Sequence, residues 1–117
     1  MDVDGTLTDG VITCTADGGE TKSFCSKDGA AIKLLAGLGV IPAIVSGRAS
    51  EVTTRRAKEL GIAEIHQAVG DKAGQLLEIA GRLGISPDET AFIGDDLTDI
   101  PAMRVAAFSA CPSDAVP

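Results

Sequence analysis

Acidic and polar residues recur along the chain in four short motifs whose order predicts phosphoryl-transfer chemistry. Together they supply a carboxylate nucleophile, a second carboxylate for proton transfer, donors for phosphate oxygens and an acidic cluster for a metal ion. Each motif alone is also typical of loops and helix caps, so only their combination carries this inference. The motifs are Asp2-Val3-Asp4-Gly5-Thr6, Ser46-Gly47-Arg48, Lys72 and Gly94-Asp95-Asp96-Leu97-Thr98-Asp99.

The last acidic motif directly follows the apolar segment 90–93, which places its carboxylates beyond the end of a buried strand. In an open α/β sheet, ligands bind outside the carboxyl ends of the strands. If the first and fourth parallel strands are neighbours, Asp2, Asp4 and Asp95 converge, and such a group of carboxylates requires a cation. All-oxygen ligands favour Mg²⁺ over Zn²⁺. Helix N-capping is an alternative for the two later aspartates, and it is compatible with the site.

Ser46 and Lys72 are the candidate phosphate-binding side chains. Ser46 follows the apolar run 40–45, so its hydroxyl group and nearby backbone N–H groups are placed to hold phosphate oxygens. Lys72 opens a helix, where a cation opposes the helix dipole unless an anion lies beside it. An ordinary turn and a solvated lysine are the alternatives at these two positions.

Strand and helix patterns alternate along the chain, which predicts an α/β domain with a mostly parallel sheet. Two segments around a turn-rich tetrad at 16–19 are expected to form a β-hairpin, and Ser50 is expected to cap a helix. The predicted hairpin strands are 11–15 and 20–24, the helices are 29–38, 51–60 and 72–83, and the other strands are 40–45, 62–66, 90–93 and 106–110.

The composition restricts the class of protein. A chain of 117 residues is enough for one compact domain, and its net charge of −7 with no Lys/Arg-rich run argues against nucleic-acid binding. No apolar segment approaches the roughly 20 residues of a membrane span, and no signal peptide is visible, so a cytoplasmic protein is expected. The cysteines Cys14, Cys25 and Cys111 lack metal-ligand spacing and are interpreted as reduced thiols.

The ends of the chain are abrupt. Only Met1 precedes Asp2, although Asp2 is expected at the carboxyl end of a strand, and the last predicted strand is followed by no closing helix. The sequence is therefore expected to be a single domain, residues 1–117, that is shortened at both ends.

The four motifs resemble those of the haloacid dehalogenase superfamily of phosphatases over nearly the whole chain. More narrowly, the chain is similar to the 3-deoxy-D-manno-octulosonate 8-phosphate phosphatases. This resemblance implies a Rossmann-like, doubly wound sheet with a hairpin flap at about 11–24 and no cap domain. The matching segments are Asp2-Val3-Asp4-Gly5-Thr6-Leu7-Thr8-Asp9-Gly10, Lys27-Asp28-Gly29, Ser46-Gly47-Arg48, Ser50, Asp71-Lys72 and Gly94-Asp95-Asp96-Leu97 with Asp99.

The resemblance also implies roles for the acidic residues. Asp2 attacks phosphorus and forms an aspartyl-phosphate, while Asp4 protonates the leaving alkoxide and later activates water. Mg²⁺ is held by the carboxylates of Asp2 and Asp95 and by the backbone carbonyl of Asp4. Asp96 and Asp99 lie close by, acting through water or oriented toward the catalytic lysine.

Other residues receive roles in binding. Ser46 and Lys72 stabilise the phosphate oxygens in the transition state. The resemblance places Asp28, Gly29 and Arg48 near a sugar acid, and Arg48 suits a two-point contact with a carboxylate. Nonulosonate 9-phosphate phosphatases tend to carry Glu in place of this arginine, which favours the eight-carbon sugar acid of lipopolysaccharide synthesis. Family members form tetramers, so a homo-oligomer is expected.

Three other interpretations remain open at this point. A nonulosonate 9-phosphate phosphatase is an alternative within the same class. A receiver domain that is switched by phosphorylation uses similar residue types, but its paired acids come first, whereas Asp95 and Asp96 follow Lys72 here. An inactive structural fragment is the third interpretation.

Overall fold

Residues 1–2, which form no regular strand, lie between two parallel pairs of strands. In the computed structural model, which describes residues 1–117, two parallel pairs form, β3 (Ala43–Val45) with β4 (Glu64–His66) and β5 (Ala91–Ile93) with β6 (Phe108–Ala110). The helices are α1 (Ser26–Gly37), α2 (Glu51–Glu59), α3 (Lys72–Arg82) and α4 (Ile100–Val105), and the flap strands are β1 (Thr13–Cys14) and β2 (Glu20–Thr21).

Met1 and Asp2 join the two parallel pairs. The Met1 nitrogen donates to the Ala43 carbonyl, and the Val45 N–H donates to the Met1 carbonyl, both at 2.9 Å. On the other side, the Asp2 N–H donates to the Ile93 carbonyl at 2.9 Å. The order is therefore β4, β3, residues 1–2, β5, β6, which confirms that the segment bearing Asp2 lies beside the strand that leads to Asp95.

The helices pack on both faces of this sheet, as expected for a doubly wound α/β domain. Consecutive residues of β3 face opposite sides, because side chains alternate along a strand. Ile44 belongs to one apolar core with α1 and α2, and Val45 belongs to the other with α3 and α4. The first core contains Val3, Ile32, Ile44, Ala57, Leu60 and Ile62, and the second contains Val45, Leu76, Ile79, Phe92 and Ala102.

Side-chain caps define where two of the helices begin. Ser50 Oγ accepts a hydrogen bond from the Thr53 N–H at 3.3 Å, which confirms the predicted cap of α2. Asp71 Oδ1 accepts from the Gly74 N–H at 2.9 Å at the start of α3. Helix α1 begins earlier than residue 29, at Ser26, and has no side-chain cap. The short helix α4 was not predicted, because Pro101 and its six-residue length hide any helical period.

The predicted hairpin is present, with shorter strands than expected. Thr13 pairs with Thr21 and Cys14 pairs with Glu20 in antiparallel register. It is the only insertion between the first motif and α1, so the fold is a core with a flap and no cap domain. All three cysteines are free and exposed. None of the four helices has the length and apolar composition needed to cross a bilayer.

Candidate active site

A buried lysine links two of the acidic motifs. Lys72 stands at the first position of α3, and its Nζ donates to Asp2 Oδ1 at 2.8 Å and to Asp99 Oδ1 at 2.5 Å. Exposure is 6% for Lys72, 5% for Asp2 and none for Asp99. Charged groups at such depth persist only when they are paired. The lysine therefore fixes the position of the Asp2 carboxylate at the carboxyl edge of the sheet.

Asp99 uses both of its oxygens within the protein. Oδ1 accepts from Lys72, and Oδ2 accepts from the backbone N–H groups of Asp95 and Asp96, each at 3.1 Å. Gly94 lies against it, since a Cβ there would come within 2.4 Å of Asp99 side-chain atoms. Asp99 is therefore a structural bridge that orients Lys72 and the loop after β5.

Asp95 is positioned by the first motif. The Thr6 hydroxyl group donates to Asp95 Oδ1 at 2.9 Å. Gly5 has a φ of 95°, and a Cβ at this residue would lie 2.0 Å from Asp95 Oδ2. Glycine is therefore required at position 5 for two reasons, the left-handed backbone and the close approach of a carboxylate.

The acidic group fits a divalent cation. Carboxylate oxygens of Asp2, Asp95 and Asp99 all lie within 4.8 Å of one another. Because Asp99 is fully engaged, Oδ2 of Asp2 and Oδ2 of Asp95 are the oxygens free of side-chain partners. Oxygen ligands in this number suit Mg²⁺, which keeps several waters and takes only one or two carboxylates.

Burial and the hydrogen bonds around Lys72 shift the pKa values of Asp2 and Lys72. Burial raises the pKa of Asp2 above its usual value, although the hydrogen bond from Lys72 acts in the opposite direction. Burial acts to lower the pKa of Lys72, but the hydrogen bonds to Asp2 and Asp99 outweigh it and the pKa is raised. Lys72 therefore remains a cation between two carboxylates.

The Asp4 carboxylate does not join this acidic group, contrary to the predicted convergence. Its Oδ1 forms an ion pair with Lys22 of the flap, and its Oδ2 lies 3.9 Å from the Arg48 guanidinium. Residues two positions apart on a regular strand would face the same side, but the backbone turns at residues 4–7, where Gly5 has a φ of 95°, and this turn directs Asp4 toward the flap. Asp4 therefore faces the flap and Arg48.

Ser46 lies at the same edge of the sheet as Asp2. It follows β3, is 3% exposed, and its Oγ accepts from the Arg48 N–H at 3.4 Å.

Asp96 has a local role, since its Oδ1 accepts from the Leu97 N–H at 2.6 Å and caps the 3₁₀ turn before α4. The alternative of N-capping is thus correct for Asp96.

The two predicted substrate contacts in α1, Asp28 and Gly29, lie near Leu7 and Phe24. Asp28 and Gly29 line a small cavity together with Leu7 and Phe24. A Cβ at Gly29 would lie 2.6 Å from Arg56 Nη2, so this glycine allows α1 to pack against α2. Contact of Asp28 or Gly29 with a sugar acid stays a prediction.

Three residues of the site were not foreseen from the sequence. Thr6 holds Asp95, and Glu20 and Lys22 surround Asp4. Thr6 was visible within the first motif but had no assigned partner. Glu20 and Lys22 share one face of the hairpin, and only the placement of the flap over Asp4 reveals their function.

The fold and the acidic site define a class of enzyme. Residues 24–107 match the haloacid dehalogenase-like hydrolase family, and the chain belongs to this family. The family fold is also seen in solved structures that superpose on this chain with TM-scores of about 0.95.

Three individual relatives are similar to this chain over nearly its whole length. The chain is 37% identical over 116 residues to the 3-deoxy-D-manno-octulosonate 8-phosphate phosphatase of Yersinia pestis, across 99% of this chain and 62% of that protein. It is similar to the crystal structure of the Moraxella catarrhalis phosphatase of the same name, in complex with magnesium ion, phosphate ion and KDO. There the identity is 44% and the TM-score 0.96, across 99% of this chain and 67% of that one. The cobalt-bound Haemophilus influenzae phosphatase is 36% identical with a TM-score of 0.94, across 98% and 67% of the two chains.

Proposed function

We propose that the protein is a Mg²⁺-dependent phosphatase that hydrolyses a sugar-acid phosphate, 3-deoxy-D-manno-octulosonate 8-phosphate, through an aspartyl-phosphate. The observation that carries this proposal is the buried contact of Lys72 with Asp2 beside the free oxygen of Asp95. This arrangement supports Asp2 as the nucleophile, Lys72 as the cation for phosphate oxygens, and Asp2 and Asp95 as metal ligands.

The first step of the proposed reaction is phosphoryl transfer to Asp2. A carboxylate oxygen of Asp2 forms a bond to phosphorus while the ester bond to the sugar oxygen breaks. Asp4 gives its proton to that leaving oxygen, which lies on the flap side of the site. In the second step Asp4 takes a proton from water, the water attacks phosphorus, and phosphate leaves with Asp2 restored.

The other residues hold charge in place. Lys72 and the Ser46 hydroxyl group stabilise the phosphate oxygens, and Lys72 also keeps Asp2 in its attacking position. Asp2 and Asp95 would hold Mg²⁺ with the Asp4 backbone carbonyl. Bound there, the metal supplies positive charge that offsets the repulsion between the nucleophile and the phosphate dianion. Asp99 orients Lys72 and the backbone that carries Asp95.

The substrate assignment is supported by the relatives and by Arg48. The three relatives described above carry the name of this phosphatase, and one of the similar structures holds KDO beside magnesium and phosphate ions. Arg48 is 41% exposed on its side chain and lies next to Asp4, where the sugar leaves. A planar guanidinium at this place suits the carboxylate of a sugar acid.

We further propose that the enzyme acts in the cytoplasm as a homotetramer in lipopolysaccharide precursor synthesis. Large apolar side chains are exposed on the flap and at the end of α1, including Val11 at 62%, Leu34 at 66% and Leu38 at 74%. Leu34 and Leu38 lie about one helical turn apart, and contiguous exposed apolar surface is typical of protein interfaces. Light scattering is expected to give the mass of four chains, and a monomer would contradict the proposal.

Phosphate release with and without Mg²⁺ tests the proposed function. We expect turnover of 3-deoxy-D-manno-octulosonate 8-phosphate to require the metal and to be faster than turnover of a nonulosonate 9-phosphate. The Asp2→Asn variant is expected to lose turnover and the labelled phosphoenzyme trapped by acid quench. Asp88→Asn, an exposed substitution of the same chemistry, is the control. Equal rates for the two substrates would contradict the proposed substrate preference. Full activity of Asp2→Asn would contradict the proposed attack by Asp2.

A further inference from the structure

Four charged side chains from the flap and the core meet around Asp4. Lys22 forms ion pairs with Asp4 Oδ1 and, at 3.1 Å, with Glu20 Oε1. The Arg48 guanidinium lies 3.5 Å from the same Glu20 oxygen and 3.9 Å from Asp4 Oδ2. Two cations and two carboxylates balance, so this flap cluster, residues Asp4, Glu20, Lys22 and Arg48, is neutral before any ligand binds.

The two cations differ in exposure. The Lys22 side chain is 2% exposed, whereas that of Arg48 is 41% exposed. A buried ammonium group without an anionic partner is costly, because the desolvation of the charge is no longer offset. Lys22 must therefore contact a carboxylate at every stage at which the flap remains closed.

The flap is held in place by two of its side chains. Glu20 lies in β2, and Lys22 and Phe24 follow at every second position beyond the end of this strand. Phe24 packs against the apolar core between α1 and α2. The packing of Phe24 on the core and the ion pair of Lys22 with Asp4 therefore both hold this end of the flap in place.

We propose that Lys22 is a specificity-determining residue that exchanges the Asp4 carboxylate for the carboxylate of the sugar-acid leaving group. The proposal rests on the proposed phosphatase function, in which Asp4 lies at the leaving oxygen. A carboxylate entering beside Asp4 gives the buried ammonium a new partner, and Asp4 is released to contact the leaving oxygen. Arg48 contacts the same group from the exposed side.

A neutral sugar phosphate lacks this replacement anion. Its phosphate group would be held at Ser46 and Lys72, as proposed above, so its sugar offers only hydroxyl groups to Lys22. Breaking the ion pair with Asp4 then leaves the buried ammonium group with Glu20 alone, a carboxylate that it shares with Arg48. The Lys22 ammonium group thus favours sugar-acid phosphates and disfavours neutral sugar phosphates.

The test measures kcat/KM for two substrates in matched variants. The substrates are 3-deoxy-D-manno-octulosonate 8-phosphate and the neutral ribose 5-phosphate. Lys22→Met removes the charge, Lys22→Arg keeps it, and Lys33→Met removes an exposed charge from α1 as the control. A charge-assisted hydrogen bond corresponds to roughly 10- to 100-fold. We expect the ratio of acid to neutral kcat/KM to fall by about that factor in Lys22→Met, to recover partly in Lys22→Arg and to stay constant in Lys33→Met.

Binding of the product separates this inference from the proposed function. Calorimetry with the product 3-deoxy-D-manno-octulosonate (KDO), in the presence of Mg²⁺ and inorganic phosphate, is expected to show that KDO binds Lys22→Met at least about tenfold more weakly than the wild type. An equal loss for both substrates, or unchanged binding of KDO, would overturn the role of Lys22. If the wild-type chain hydrolyses no phosphomonoester, the proposed function is wrong, while the binding of KDO still reports on Lys22.

Discussion

The Lys72 ammonium group lies 2.8 Å from the Asp2 carboxylate, although 70 residues separate them. Both side chains are buried, and the third member of the group, Asp99, is fully inaccessible. The contact joins the start of α3 to the segment of residues 1–2 that links the two parallel strand pairs. It also fixes the residue for which we propose nucleophilic attack.

Replacing Lys72 by Met is expected to reduce both stability and activity. Asp2 and Asp99 would be left as buried carboxylates without their cation, at a cost of ~3–5 kcal/mol in the free energy of unfolding. Loss of a preorganised cation at the phosphate is expected to lower kcat by ~10²–10³. Urea unfolding and phosphate release measure the two effects, with Lys33→Met as control. A Lys72→Met protein of wild-type stability would show that the three charges are not coupled.

Substitution of Gly5 by Ala should weaken metal binding. Residue 5 has a left-handed backbone, which any residue with a Cβ adopts at a cost. The added Cβ would also lie 2.0 Å from Asp95 Oδ2, so this proposed Mg²⁺ ligand would be displaced. Gly18→Ala is a matched control, because Gly18 has a φ of 84° and no atom within 4 Å of the added Cβ. Both variants are expected to lose ~1–2 kcal/mol from the backbone alone. Only Gly5→Ala is expected to need at least about tenfold more Mg²⁺ for half-maximal activity; equal requirements would contradict the metal site.

Mg²⁺ is expected to raise the thermal stability of the protein. The metal binds the folded state, so at 100 times its Kd it would add about 2.7 kcal/mol to the free energy of unfolding. Asp95→Asn, which removes one charged ligand, is expected to lose most of this shift. Melting curves over a Mg²⁺ series measure it, with Asp88→Asn as the control. The same shift in Asp95→Asn and in the wild type would exclude Asp95 as a ligand.

The Glu64 carboxylate is expected to stabilise the fold in a defined pH range. Hydrogen bonds from Arg82, and then from His66, lower the pKa of Glu64 from 4.5 to about 2. Because the folded-state pKa is the lower one, this stabilisation is complete above about pH 4.5 and is lost as the pH falls toward 2.

Arg82→Met tests this stabilisation. The pair lies at the surface, where solvent weakens ion pairs, so we expect a small loss of stability at pH 7 that shrinks as the pH falls below 4.5. Arg55→Met, an exposed substitution without an ion pair, is the control. Urea unfolding at several pH values gives the difference, and a loss that does not depend on pH would contradict the assignment.

Local sequence patterns were sufficient for most of the fold. Ser50 before an amphipathic segment predicted the cap and start of α2, and the apolar spacing after Lys72 predicted α3, because caps and helical periods depend on near neighbours. The strand lengths were overestimated. Strand ends are set by hydrogen bonds to a distant partner, and only residues 43–45 of the apolar run 40–45 are paired.

The four motifs by themselves determined the chemical class of the site, since carboxylates, a lysine and a serine in that order at strand ends leave few other uses. The family comparison agrees with this class. Tertiary structure decided how the acids divide their tasks. Asp95 and Asp99 lie four positions apart, yet Asp99 bridges Lys72 to two backbone N–H groups while Asp95 keeps an oxygen free. Lys22 came next to Asp4 only because the flap folds back onto the sheet, and no short-range pattern encodes a contact across 18 residues of turn and strand.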